Sequence, residues 1–183
     1  MGKINAAVFL ADGFEDIEAI AVIDLLRRAG FSVTSVSLTN GEYAASSHGV
    51  TVKADALFGD LGFGGFDILI LPGGPGYKKY SEHTGLCGLL KRHNDENRYI
   101  AAICAAPTVL GRLGILKGKT AVCYPGMESG LSGAAIGAGP VEHDGNIITS
   151  KSAGTTVPFA LKIIEVLAGT DAANEISKGI CYP

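Results

Sequence analysis

Cys104 is the residue on which chemistry would turn. It closes the apolar run Tyr99-Ile-Ala-Ala-Ile103, which reads as a buried strand. Pro107, Thr108, Val109, Leu110 and Leu113 follow with helical spacing, the proline being tolerated only in a first turn. The thiol therefore falls at a strand-to-helix turn, the layout of a nucleophile elbow. Unpaired N–H groups and the positive end of a helix favour thiolate over thiol at such a turn. The competing reading is a small buried hydrophobe, a common fate of a free cysteine.

Two other stretches offer groups that fit this thiol. Pro72-Gly73-Gly74 follows the apolar run Phe66-Asp-Ile-Leu-Ile-Leu71. Glycine has no Cβ to keep a substrate oxygen from backbone N–H groups. With the N–H of Ala105, this loop would make an oxyanion hole; a plain tight turn is the alternative. Glu15 and Glu18, three residues apart, share one helix face. Acids in a first turn complement the helix dipole without further purpose. In the functional reading, one of them points at the sulfur and holds its proton, because two adjacent negative charges repel. Such a carboxyl shuttles protons.

These residues need a frame. Ile4 to Leu10 reads as a central strand, Glu15 to Ala29 as a helix closed by Gly30, and Phe31 to Leu38 as a second strand. That is a βαβ unit with a right-handed crossover. A short strand around Val50-Thr-Val52, a glycine-rich loop from Gly59 to Gly65 and the strand ending at Leu71 come next. A helix over Leu86 to Arg92 precedes the elbow. Thr120 to Tyr124 reads as a strand, Gly130 to Gly139 as a surface loop, and Val141 to Ser150 as a hairpin. Val157 to Ala168 is an amphipathic helix, with a short last one over Asp171 to Lys178. Alternating strands and helices give a single α/β domain over residues 1–183, a three-layer sandwich with a mostly parallel sheet. Ligands of open α/β sheets sit beyond the carboxyl ends of the strands. Ala11 to Glu18, Pro72 to Gly76 and the Cys104 elbow all end strands at that edge.

Composition narrows the function classes. A 47% hydrophobic chain with a net charge of −3 has neither a disordered composition nor a nucleic-acid footprint. No apolar run approaches a membrane span, and the start reads as no signal peptide, so a cytoplasmic location without membrane partners is expected. Cys87, Cys104, Cys123 and Cys181 are scattered, without zinc or disulfide spacing. His48, His83, His93 and His143 show no metal-ligand spacing and read as surface positions. Gly114-Ile-Leu-Lys-Gly118-Lys-Thr120 is one residue short of a phosphate loop and precedes a strand. Neither a metal nor a cofactor is expected.

Taken jointly, Leu10-Ala-Asp-Gly-Phe-Glu15-Asp-Ile-Glu18, Leu71-Pro-Gly-Gly74, Ala101-Ala-Ile-Cys104-Ala-Ala-Pro107 and Ile148-Thr-Ser-Lys-Ser-Ala-Gly-Thr155 resemble the ThiJ/PfpI superfamily. They look closest to its parkinsonism-associated protein deglycase branch. The resemblance implies a flavodoxin-like fold, a homodimer and a reactive Cys104. It implies Glu18 as the acid bonded to that sulfur, Gly74 and Ala105 as the oxyanion site with Gly73 nearby, and Glu15 as a second acid. Two positions depart from it. Tyr124, before Pro125, stands where better-known members carry a histidine, leaving a substrate-orienting role, and His48 stands where an arginine is common. Asp24, which would support that histidine from the partner subunit, is retained. The function implied is a cysteine-dependent enzyme acting on methylglyoxal-type dicarbonyls or their glycated adducts, a glutathione-independent glyoxalase or deglycase. The alternative is an oxidative-stress sensor or chaperone in which Cys104 is oxidised to sulfinate.

Overall fold

The computed structural model describes residues 2–183. Strand β1 (Asn5–Leu10), helix α1 (Asp16–Arg28) and strand β2 (Ser32–Ser37) open the chain. β1 and β2 pair in parallel from Asn5 with Ser32 to Leu10 with Ser37, as expected for a βαβ unit. Helix α1 begins with Asp16 and Glu18 at its positive end and finishes on Arg27 and Arg28. A hairpin of β3 (Tyr43–Ala45) and β4 (Thr51–Lys53) follows, then β5 (Ala56–Leu57) and β6 (Ile68–Leu71). Next come α2 (Tyr77–Glu82), α3 (Thr84–Asp95), β7 (Tyr99–Ile103) and α4 (Pro107–Arg112). Short strands β8 (Thr120–Ala121) and β9 (Ala135–Ile136), the hairpin of β10 (Val141–Asp144) and β11 (Ile147–Ser150), and helices α5 (Thr156–Ala168) and α6 (Thr170–Gly179) complete the fold.

The main sheet runs β10-β11-β7-β6-β1-β2-β5, parallel throughout except for β10. Without its edge strands, the order is that of flavodoxin-like sheets, whose ligands lie where the winding reverses. Here the reversal is at β1 and β6. Side chains of a strand alternate between faces, and both faces are covered. Val8, Leu10, Ile70 and Ile103 pack against Val22 and Leu26 of α1 and Phe159 and Ile163 of α5. Ala7, Phe9, Leu69 and Leu71 meet Tyr80, Leu86 and Leu90 on α2 and α3, and Val109 and Leu110 on α4.

Three local expectations change. Helix α2 was not read from the sequence: its six residues carry two lysines and one buried anchor, Tyr80, whose hydroxyl donates to the Phe9 carbonyl at 3.1 Å. The strand expected over Thr120 to Tyr124 stops at Ala121 and pairs with β9, inside the stretch expected to be loop. Its next N–H groups turn away: Val122 donates to Thr149 Oγ1 and Tyr124 to the Cys104 carbonyl. His93, expected at the surface, is 2% exposed because it lies on the inner face of α3.

Candidate active site

The elbow is a strained residue held from two sides. Cys104 has φ of 65°, the left-handed region, which costs a residue other than glycine about 1–2 kcal/mol. Its N–H donates to the Ser150 carbonyl at 3.0 Å, and its carbonyl accepts the Tyr124 N–H at 2.7 Å. These bonds reach β11 on one side and the segment after β8 on the other. They turn the side chain out of the strand while leaving it half-buried.

Glu18 is fully buried one turn into α1. The Gly73 N–H donates to its Oε2 at 2.7 Å, whereas Oε1 has no hydrogen-bond partner among the described residues. Gly73 must be glycine: a Cβ there would sit 2.5 Å from Cys104 Cβ and 2.6 Å from Glu18 Oε2. Gly74 has φ of 85°, and its Cβ would meet the Glu15 nitrogen at 2.5 Å. Two glycines thus let β6, α1 and the elbow converge. Gly73, expected among the oxyanion donors, commits its N–H to Glu18; the N–H groups of Gly74 and Ala105 are the ones that favour a charge on the sulfur.

The electrostatics follow from this packing. Burial, and then the charge of Glu15, push the Glu18 carboxyl up to about 7, against the Gly73 N–H and Cys104, which pull it down. Burial, and then the negative charge of Glu18, push the Cys104 thiol up, while the Gly74 and Ala105 N–H groups pull it down. Helix α4 has only six residues, and Glu18 opposes the thiolate whenever it is ionised. Protonating Glu18 removes that repulsion. The pair is therefore suited to carry one negative charge and to exchange one proton.

Around the mouth, the Glu15 N–H donates to the Gly73 carbonyl at 2.9 Å, and its Oε2 accepts Ser47 Oγ at 3.0 Å. His48 Nδ1 stands 2.9 Å from Asp16 Oδ2 and 3.6 Å from Glu15 Oε1. Glu15, Asp16 and His48 each place one ligand atom within 4.8 Å of the others. No sequence spacing announces this group, because the hairpin brings His48 to α1 from 32 residues away. Ser46, Ser47 and His48 already bond its acids. Tyr124 is 48% exposed and meets the elbow through its backbone. Asp24 bonds Arg28 on the outer side of α1. A cavity of about 620 Å³ between α2 and α4, beside Cys87 and Arg112, lies apart from these groups. The site is therefore identified by its chemistry rather than by this hollow.

The chain is similar to known proteins over most of its length. Residues 4–166 match the model of the DJ-1/PfpI family. The chain is 40% identical over 179 residues to Protein dj-1beta of Drosophila melanogaster, spanning 96% of each. It is 35% identical over 169 residues to the protein named glutathione-independent glyoxalase DJR-1.2 of Caenorhabditis elegans, covering 91% of this chain and 90% of that one. A solved structure titled Toxoplasma gondii DJ-1, oxidized, is similar with a TM-score of 0.94 and 37% identity over 98% of both chains.

Proposed function

The chain belongs to the DJ-1/PfpI family, and on that premise we propose that it is a cysteine-dependent enzyme converting methylglyoxal-type dicarbonyls, or their early adducts, without glutathione. The observation that carries the reading is Cys104 on its strained elbow with the Glu18 carboxyl beside it, so close that a Cβ on Gly73 would sit 2.5 Å from Cys104 Cβ and 2.6 Å from Glu18 Oε2. A carboxyl titrating near neutrality is suited to both taking and returning a proton. Glu18 takes the thiol proton as the sulfur attacks the aldehyde carbon, forming the C–S bond of a hemithioacetal. The developing oxyanion is met by the two N–H groups, and Glu18 returns the proton to it. Moving one proton from that carbon to the neighbouring carbonyl carbon, and the hydroxyl proton to that carbonyl's oxygen, gives a thioester of lactate. Water cleaves it, releasing lactate and restoring the thiol. Methylglyoxal plus water thus gives lactate, with no external oxidant or reductant. Tyr124 and Glu15 orient the substrate at the mouth. The name of the Caenorhabditis elegans relative supports the same class.

The test is lactate formation from methylglyoxal by the purified protein. The wild-type chain turns over and Cys104→Ala does not; equal lactate from both would end the proposal.

A second reading is a peroxide sensor. A half-buried thiol beside an acid that holds a proton is suited to stabilising a sulfinate through charge-assisted hydrogen bonds. The relative titled as oxidised supports it. Two peroxide molecules would each transfer one oxygen to the Cys104 sulfur and leave as water. Intact mass and peptide mapping after mild peroxide check this: selective addition of two oxygens at Cys104 is expected, and equal oxidation of all four cysteines refutes it. As partner we propose a second copy of the chain, docked on the side of α1 that exposes Ile17 and Ile20. A monomeric mass by light scattering at micromolar concentration would exclude it.

A further inference from the structure

The loop joining β3 to β4 makes more polar contacts with α1 than a passing hairpin requires. Ser46 Oγ donates to Asp16 Oδ1 at 2.5 Å, and Ser47 Oγ donates to Glu15 Oε2 at 3.0 Å. The Ser47 N–H donates to the Phe14 carbonyl at 2.8 Å, and the Gly13 N–H to the Ala45 carbonyl at 2.7 Å. His48 then places Nδ1 between Asp16 and Glu15. The backbone of Glu15 is tied at the same time to Gly73, whose N–H holds Glu18. One chain of contacts therefore runs from the hairpin tip through Glu15 and Gly73 to the acid beside the sulfur.

We infer that Ser46, Ser47 and His48 form a clasp that positions Glu15 at the mouth of the Cys104 site, with His48 supplying the cationic charge that faces it. His48 is a positioning residue in this account; it touches neither the sulfur nor Glu18. The charged groups around it are Glu15 and Asp16 on α1. Asp12, in the preceding loop, accepts the Ala45 N–H at Oδ1 and has Lys79 3.5 Å from Oδ2. Bonding to Asp16, then the charge of Glu15, raises the proton affinity of His48. The imidazolium is thus present below its raised pKa and lost as pH rises through it. The mouth should accordingly admit anionic reagents better at low pH than at high pH. The clasp concerns access to the sulfur, so it stands or falls separately from any particular reaction catalysed there.

Site-resolved alkylation tests it. Cys104 is labelled in the intact protein with anionic iodoacetate and, in parallel, with neutral iodoacetamide. The labelled Cys104 peptide is quantified by mass spectrometry between about pH 6 and pH 9. The ratio of the two rates cancels any change in the thiol itself. At the acid end, His48→Gln is expected to lower the iodoacetate-to-iodoacetamide ratio about two- to threefold, the size of effect expected for one charge lost in a solvent-screened setting. His48→Arg restores the ratio at the acid end and removes the part of its pH dependence that belongs to His48, leaving the part set by Glu18. Ser47→Ala lowers it less, by releasing Glu15. Circular dichroism on each variant separates a lost clasp from a lost fold, and the arginine variant retains the test if glutamine disturbs the hairpin. A wild-type ratio in His48→Gln at acid pH, or failure of His48→Arg to restore it in a folded protein, would overturn the inference.

Discussion

Cys104 and Cys123 end neighbouring segments of the same molecule, and the Tyr124 N–H links the second segment to the carbonyl of the first. Their thiols live in different settings. Cys123 is 2% exposed, and its sulfur donates to the Tyr124 carbonyl at 3.5 Å. Burial, followed by the charge of Glu128, pushes its thiol up to about 11. Burial also raises the Cys104 thiol, so burial does not distinguish the two. What distinguishes them is the group that can take the proton and the N–H groups that can receive the charge. Cys104 has Glu18, Gly74 and Ala105; Cys123 has a carbonyl, which can only keep the thiol protonated.

The largest expected effect breaks this comparison at its root. Cys104→Ser should abolish dicarbonyl turnover and peroxide-selective oxidation while leaving the fold intact. Cys123→Ala should keep both and instead lower stability by about 1–2 kcal/mol, since it empties a packed site. Denaturant melts together with lactate assays read both quantities. Loss of turnover in Cys123→Ala without loss of stability would place chemistry on the wrong cysteine.

Next in size is Gly74→Ala. A methyl group at φ of 85° is strained, and it would sit 2.5 Å from the Glu15 nitrogen and the Gly13 carbonyl oxygen. The backbone must move, and the N–H aimed at the sulfur moves with it. Turnover should fall about 100-fold or more, as for a lost oxyanion donor, with stability down by about 2 kcal/mol or more. Normal turnover in a folded Gly74→Ala protein would remove the Gly74 N–H from the chemistry.

Glu18→Gln sharpens the comparison through pH. The folded protein raises the Glu18 carboxyl to about 7, against about 4.3 in an unfolded chain. Between those values the folded state binds more protons than the unfolded one, so wild-type stability falls as pH rises across that window. The full difference is about 4 kcal/mol, an order-of-magnitude figure for a buried carboxyl. Glutamine cannot ionise, so the stability of the variant relative to wild type should rise from about pH 4.5 to pH 7 and then level off. Chemical denaturation of both proteins at several pH values measures it. Parallel curves would mean that Glu18 ionises normally and holds no proton for Cys104.

The frame of this site was legible in the sequence, whereas its electrostatics were not. The apolar runs of β1, β6 and β7 are buried on both faces, so each reads as a strand without knowledge of its neighbours. Pro107 and the glycines after Leu71 mark where two of those strands must stop. By contrast, α2 depends on one tertiary contact of Tyr80, and the strand after Lys119 is cut short by hydrogen bonds to Thr149 and Cys104. The burial of His93 depends on which helix face turns inward. Gly73 reads as an oxyanion donor until the structure shows Glu18 on its N–H. The clasp of Ser46, Ser47 and His48 is assembled by pairing between β3 and β4, with no local signal that those residues reach α1. Long-range contacts of this kind are also what set the proton affinities of Glu18 and His48.

The smallest effect concerns the residue that joins the two cysteines. The backbone N–H of Tyr124 closes the elbow at 2.7 Å. Its ring is 48% exposed, and its hydroxyl makes no hydrogen bond to any described residue. Removing the hydroxyl leaves that N–H bond untouched. Tyr124→Phe should therefore change stability by less than about 0.5 kcal/mol. Cys104 alkylation by iodoacetamide should stay within about twofold, because no charge near the sulfur changes. Turnover is the sharper readout. A phenol acting only by bonding the substrate raises KM when removed and leaves the alkylation rate alone. A phenol exchanging protons with the sulfur would slow both. Parallel loss of alkylation and turnover in Tyr124→Phe would extend the reactive group beyond Cys104, Glu18 and the two N–H groups. It would also mean that the two cysteine segments are coupled through a side chain as well as a backbone bond.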